Sequence, residues 1–293
     1  MSVPSAKSSV TALSKLYIRN AEFVEDADSK QYVFHVTDPH ALVQAAGYLK
    51  YKMASSSQAI FFRGQTRLYP GLVPTLFRGL TNVKTQGNHI HQVKVAIDSI
   101  RSTAPILTKI PAIVCEPLLQ HYGLRTTWVD LVDNIWVALW FACNRGHIAG
   151  PTSEYLHFEK RDVTKENSPY AYILLVSADT DATPTSGVYS GVNTDLIDLR
   201  MACPSIFLRP HAQHGLLFRR RADTVSRPLD YATQIQGIIR INLSDAIAWL
   251  GTGAILGVHA LFPPPYYDRG YGFLLSADFL ANQTVGSIWH IGA

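Results

Sequence analysis

A chain of 293 residues that is 47% hydrophobic and only 16% charged can bury a full core, which excludes an intrinsically disordered protein. Its formal charge of +4 suits a nucleic acid or phosphate-bearing ligand without requiring one. The three cysteines, Cys115, Cys143 and Cys203, lie far apart in apolar surroundings and read as reduced core residues. No apolar run has the length of a signal peptide or of a membrane helix, so the expectation is a cytoplasmic protein that makes no use of a membrane.

Residues 1–35 are small and polar, then mixed with acids (Glu22, Glu25, Asp26, Asp28), and read as a loosely held arm before one domain spanning 36–293. Asp38 before Pro39 supplies a cap and a first-turn proline, predicting a helix to about Ala54. The apolar run Ala59 to Gln65, AIFFRGQ, predicts a buried strand that delivers Arg63, Gly64 and Gln65 at its end. Ile90, Val93, Ile97 and Ile100 mark a helix over about 88–102, and Pro111 opens another that ends near Gly123.

The stretch that organises the chain is Leu118 to Cys143, LLQHYGLRTTWVDLVDNIWVALWFAC. Gln120, His121, Tyr122, Arg125, Thr126, Thr127 and Asp130 crowd into a loop directly before an apolar helix, where a surface loop would carry Ser, Lys and Glu. Asp133 is expected to cap that helix, Ile135, Trp136, Leu139, Trp140 and Cys143 recur at helical spacing, and Gly146 is expected to close it. A helix apolar on most faces belongs inside the domain and fixes the polar loop before it.

Residues 147–169 read as a polar excursion and Tyr170 to Ala178 as a central strand. From Ser205, IFLRPHAQHGLLFRRR reads as a strand whose alternate residues Arg209, His211, Gln213 and His214 face a cavity, before Arg219, Arg220 and Arg221 leave for solvent. A further strand runs to Leu243, with a Ser244 cap, a short helix stopped by Gly251, and a final strand-like SIWHI. These elements predict an α+β fold with a mixed sheet and surrounding helices. His89 and His91, two apart on a helix, point to different faces, and no metal site is expected.

The motifs FFRGQ (61–65), VPTLFR (73–78), LQHYGL (119–124), ALWFAC (138–143), R-x-x-A-Q-x-G-x-x-F (209–218) and LFP (261–263) stand in the order of the FRG domain family, which the chain resembles over about residues 40–270. Where that family usually has Pro-Thr-Arg, this chain reads Arg125-Thr126-Thr127, followed by Trp128, Val129, Asp130 and Leu131. A second resemblance is to the three-part pattern of ADP-ribosyltransferases. It is carried by an aromatic-Arg-Gly strand, a Thr-bearing turn before an Ala-x-x-Phe-Ala helix, and a late strand bearing Gln.

That second resemblance implies an ADP-ribosyltransferase-like sheet core and NAD as substrate, with no metal. Arg63 and Gly64 would hold the dinucleotide, with Gln65, Tyr122 and Thr127 as further binding candidates. Thr126 and Asp130 would shape the nicotinamide–ribose pocket, and Gln213 with His121 or His214 would orient the acceptor. Cleaving the nicotinamide–ribose bond develops positive charge on the ribose, which a fixed dipolar site stabilises, and arginine suits the pyrophosphate because its planar fork donates paired hydrogen bonds. The family's late glutamate has no counterpart, since no Glu follows Glu166; Gln213 replaces it, Asp130 supplies it, or it is absent.

The expected acceptor is a macromolecule, RNA or DNA before protein, with Arg219, Arg220 and Arg221 against its backbone. The expected role is a toxin or phage-defence effector with a neutralising antitoxin-like partner. Two other readings stay open: a nucleotide-binding module without catalysis, and a metal-independent nuclease using His121 and His214 as acid and base. Structural roles also stand beside each candidate, namely an ion pair for Arg63, a hydrogen-bond hub for Asp130, and helix-end packing for His121 and Tyr122.

Overall fold

The computed structural model describes residues 10–55, 57–221, 230–279 and 281–292. Strands β1 (Ala21–Glu25) and β2 (Tyr32–Val36) form an antiparallel hairpin, and Leu13 ahead of it is fully buried. Of the expected arm, Ala21–Glu25 and residues 32–35 are thus strand rather than loose chain, and Leu13 packs in the core; residues 1–9 lie outside the described residues. Helix α1 (Pro39–Met53) starts as its sequence predicts, the Asp38 carboxylate accepting the backbone N–H of His40 at 2.8 Å. Ala41, Leu42, Ala45, Ala46 and Leu49 form its buried stripe.

Strand β3 (Gln58–Gln65), helices α2 (Val83–Thr103) and α3 (Ala112–His121), strand β4 (Val129–Val132) and helix α4 (Ile135–Cys143) follow. The cap of α4 is Asn134, whose side chain accepts the N–H of Trp136 at 2.9 Å, and not Asp133, which instead pairs with Lys50 at 2.7 Å. Nor does a glycine end the helix. The chain passes from Cys143 directly into β5 (Asn144–Ala149), which contains Gly146 and pairs with β6 (Tyr155–Lys160). The expected polar excursion is thus largely a hairpin, with its polarity set by exposure of β5.

Strand β7 (Tyr170–Asp179) is buried along nearly its whole length. Then come β8 (Val188–Ser190), β9 (Thr194–Asp198), α5 (Leu199–Ala202), α6 (Leu208–Ala212) and β10 (Gly215–Arg220). The strand expected from Ser205 is a short helix, a turn and a strand. Pro210 sits in the first turn of α6, where no N–H is needed, and His214 takes φ +52° to turn the chain into β10. Last are β11 (Ile235–Asn242), α7 (Leu243–Leu250), α8 (Val258–Leu261), α9 (Arg269–Leu275) and β12 (His290–Gly292). Gly251 stops α7 at φ +64°, while Ser244 lies inside that helix and does not cap it.

The strands make a nine-stranded sheet in the order β1-β2-β11-β7-β3-β4-β10-β9-β8 and a three-stranded sheet β12-β6-β5. In the large sheet β2 and β11 run parallel and the other neighbours antiparallel, so the fold is mixed α+β as its sequence predicts. Alternation along β3 sends Phe62 to the face covered by α1, α4 and α7, and Phe61 to the opposite face with Leu174, Val176, Leu216 and Phe218. No helix among the described residues is long and apolar enough to cross a membrane.

Candidate functional site

The site arises where two central strands part. Strand β3 pairs with β7 over all eight of its residues, from Gln58 to Gln65, yet with β4 only at Phe62–Val132. Past Phe62 the β4 side of β3 is open, and its backbone groups face a cavity of about 310 Å³ between Arg63–Gln65 and Asp130–Val132. Phe141, Phe158 and Phe262 give the lining its aromatic part, and Gln120, His121, Gln213, Tyr69 and Arg78 its polar part.

Gly64, which lines this cavity, sets how closely β3 approaches α4. A Cβ at this position would lie 1.8 Å from the Ala138 carbonyl oxygen, so β3 rests backbone to backbone on α4. Arg63 Nη1 donates to the Asp130 backbone oxygen at 2.7 Å, while its Nε is buried without a partner. Burial pushes the Arg63 pKa below its ordinary value; the Asp130 charge opposes that and the neighbouring Arg78 charge adds to it. The guanidinium stays protonated.

Asp130 is the centre of the polar loop. Its Oδ2 accepts from Gln120 Nε2 at 2.9 Å, and Oδ1 lies 3.6 Å from His121 Nδ1. Burial pushes the carboxyl pKa up, but the His121 imidazole, the Arg63 charge and the Gln120 amide together outweigh it and hold the pKa below the ordinary value. Asp130 is therefore ionised at neutral pH, and 44% of its side chain remains open to the cavity. Gln120 keeps its amide aimed at Asp130 because its oxygen accepts the Thr126 hydroxyl. Thr126 is fully buried, so it acts on the cavity through Gln120.

Behind this wall is a second buried polar block. Arg209, with no exposed surface, donates through Nη1 to the His121 carbonyl oxygen at 3.1 Å and lies over the rings of Tyr122 (4.3 Å) and Tyr271 (4.7 Å). The buried Asp268 carboxylate accepts from the Tyr122 hydroxyl at 2.6 Å and from the Arg209 backbone N–H at 2.9 Å. This block fixes the end of α3, and with it His121.

The candidates from sequence divide accordingly. Arg63, Gly64, Gln65, His121, Asp130 and Gln213 line one cavity. Gln213 is tied by Nε2 to the Leu261 oxygen at 2.7 Å. Tyr122, Thr126 and Thr127 do not line it: Tyr122 is core, and Thr127 hydrogen-bonds Glu116 through its N–H and hydroxyl. His214 is outside it too, its ring 3.4 Å from Arg200 Nη1. Of the late arginines, Arg219 pairs with Asp195 at 2.9 Å and lies over Trp128, Arg221 donates to the Gly191 oxygen, and Arg220 is exposed; none lines the cavity.

Sequence reasoning missed Arg78 and Tyr69. The signal was present, because the tripeptide Phe-Arg-Gly occurs twice, at 62–64 and at 77–79, and both arginines reach the same cavity wall. Both phenylalanines are buried anchors, at 3% and 2% exposure.

Residues 58–149 match the FRG domain family, a span that holds β3, the polar loop and α4. No curated protein and no solved structure matches the chain.

Proposed function

We propose, for a chain that carries an FRG domain over residues 58–149, that the cleft beside β3 binds NAD and transfers its ADP-ribose to a macromolecule, on a core of ADP-ribosyltransferase type. One observation carries the reading: an ionised, cavity-facing carboxylate, Asp130, stands beside Arg63 where the backbone edge of β3 is unpaired. The open edge offers the N–H and C=O groups that a carboxamide needs for two hydrogen bonds. The unpartnered Nε of Arg63 and the nearby Arg78 suit a pyrophosphate.

The chemistry is then a substitution at the ribose carbon that carries nicotinamide. The carbon–nitrogen bond breaks, nicotinamide leaves with the electron pair, and an acceptor oxygen or nitrogen forms the new bond and gives up its proton to solvent. Asp130 opposes the positive charge developing on the ribose and is already oriented by Gln120 and His121, so little reorganisation of the carboxylate accompanies the step. With its pKa held low it is a charge stabiliser rather than a strong base. Gln213, its nitrogen engaged by Leu261, presents its oxygen as a hydrogen-bond acceptor for the incoming group.

RNA or DNA is the favoured acceptor, and a toxin or phage-defence effector restrained by an antitoxin-like protein is the corresponding biological role. A catalytically silent nucleotide-binding module is the second reading, supported by the absence of any Glu after Glu166. A nuclease built on His121 and His214 is not adopted, because His214 turns to Arg200 and away from the cavity lining.

The test incubates purified protein with NAD labelled in its adenylate and with separate pools of RNA, DNA and protein, beside Asp130→Asn and Arg63→Ala. Transfer to one pool by the parent, reduced about 100-fold or more in Asp130→Asn with NAD binding retained, is the expected result. A folded parent that binds NAD yet releases no nicotinamide with any pool leaves the binding module as the function.

A further inference from the structure

A second cavity, of about 440 Å³, lies across the wall formed by Arg63, Gln65, Tyr69 and Arg78, which both cavities share. Its character differs from the first. Leu72, Val73, Phe77 and Leu80 give it an apolar interior, and Asp130, in the first cavity, is the one carboxylate lining either of them among the described residues. Each cavity by itself lies toward the small end of the roughly 300–1,000 Å³ typical of sites for organic ligands. Together they offer two chambers with a cationic partition.

The wall of the second chamber is built rather than loose. The Asp230 carboxylate accepts the Leu72 N–H at 2.8 Å, and Tyr231 donates its N–H to the Leu72 oxygen at 2.9 Å. A Cβ on Gly71 would fall 2.3 Å from Asp230, so that glycine lets the carboxylate close on the loop. Gly79 at φ +76° turns the chain beside the cavity directly after Arg78. Tyr69, 44% exposed, stands at the partition, and the Arg67 guanidinium lies over its ring at 4.8 Å.

Arg63 and Arg78 line both cavities, so an anion at the shared wall would meet two guanidinium groups. An anion at the partition, flanked by an apolar chamber with an exposed tyrosine at its mouth, is the pattern of a phosphate joined to a planar ring. A cationic acceptor, such as a lysine or arginine side chain, would meet two like charges and no carboxylate in the second chamber.

We propose that the second chamber seats the base of a nucleotide whose phosphate lies between Arg63 and Arg78, so that the two Phe-Arg-Gly tripeptides act as one phosphate clamp between two chambers. This rests on the reading above for the occupant of the first chamber. The base and phosphate have two sources to choose between, the adenylate half of NAD itself or one nucleotide of an acceptor strand, and the chemistry recognised is the same.

Calorimetric titration of the full chain with AMP, nicotinamide mononucleotide, NAD and a short single-stranded oligonucleotide tests it, with Arg78→Gln and the cavity-filling Thr81→Trp as variants. Both positions are exposed, so folding should survive, and circular dichroism checks that it does. The expected result is that AMP binds the parent and loses about tenfold or more in affinity in both variants, while nicotinamide mononucleotide, whose phosphate also meets Arg78, changes less than about twofold in Thr81→Trp. If AMP then competes with NAD, the seat belongs to the dinucleotide; if the oligonucleotide binds alongside NAD and is lost in the variants, it belongs to the acceptor.

Unchanged AMP and oligonucleotide affinities in both variants overturn the seat, as does a parent that binds neither. Sensitive AMP binding without any binding of NAD or nicotinamide mononucleotide leaves the seat standing and removes the NAD reading.

Discussion

Replacing Gly64 by alanine tests the backbone contact between β3 and α4 beside the site. The backbone conformation of Gly64 suits any residue, so the whole effect comes from space. The new methyl would sit 1.8 Å from the Ala138 oxygen and 2.9 Å from the Ala142 nitrogen, whereas ordinary contact begins near 3.4 Å. Strand and helix would have to part by roughly 1.6 Å, the shortfall at the closer atom. Neither can yield easily, because β3 is paired with β7 along its length and α4 is buried on several faces. Overfilling a packed core destabilises by about 1–3 kcal/mol, and a clash between two backbones belongs at or above the upper end. Gly47→Ala is the control: that glycine lies inside α1 with nothing within 4 Å of the place its methyl would take, and alanine there should stabilise by roughly 0.5–1 kcal/mol. Urea unfolding with a common slope gives both numbers. Gly64→Ala within about 0.5 kcal/mol of the parent would refute backbone contact between β3 and α4 and return that glycine to a role in gripping ligand.

Tyr122→Phe removes a hydroxyl that binds the buried Asp268, so stability should fall by about 1.5–3 kcal/mol while nucleotide affinity stays within about twofold; unchanged stability with lost affinity would give Tyr122 back to the ligand. Burial pushes the Cys143 and Cys203 thiols up to about 12 from an ordinary 9.0. The folded pKa is raised, so the unfolded chain loses these protons first, and stability is full below about pH 9 and declines from there toward pH 12. Alkylation at pH 8 followed by mass spectrometry should leave both thiols unmodified until urea unfolds the chain, and fast labelling of the native protein would contradict their burial.

What the sequence makes legible and what it hides follow from the range of the interactions. The start of α1 is local: Asp38 binds an N–H two residues on, and the cap can be read directly. The burial of α4 is legible for the same reason, since its apolar residues leave no polar face. Its boundaries are less so, because Asn134 and Asp133 are both competent caps and the choice depends on Lys50, in another helix, engaging Asp133. The segment after Ser205 mixes apolar and polar residues in a way compatible with either period; what decides it is a left-handed His214 and a buried Arg209 that meets Tyr122 and Tyr271 from distant parts of the chain.

The candidate site follows the same logic. Arg63 and Asp130 are legible because each is a charged group in an apolar context, an arrangement that an isolated segment has no reason to adopt. Their joint position is not, because it depends on β3 and β4 pairing at a single residue and then separating, a property of the sheet as a whole. Arg78 is the sharpest case. In sequence it belongs to an ordinary turn, and nothing within that turn distinguishes it from a solvated arginine. Only the folding of Phe62 and Phe77 into separate parts of the core, with each following arginine left at the same wall, turns a repeated tripeptide into a pair of charges facing one opening. A motif that anchors with its phenylalanine, projects its arginine and makes room with its glycine has the same physics at both positions, although the glycines act differently. Gly64 admits a helix backbone, whereas Gly79 takes a left-handed turn. That difference makes the first copy sensitive to any added side chain, and the second sensitive chiefly to residues that resist positive φ.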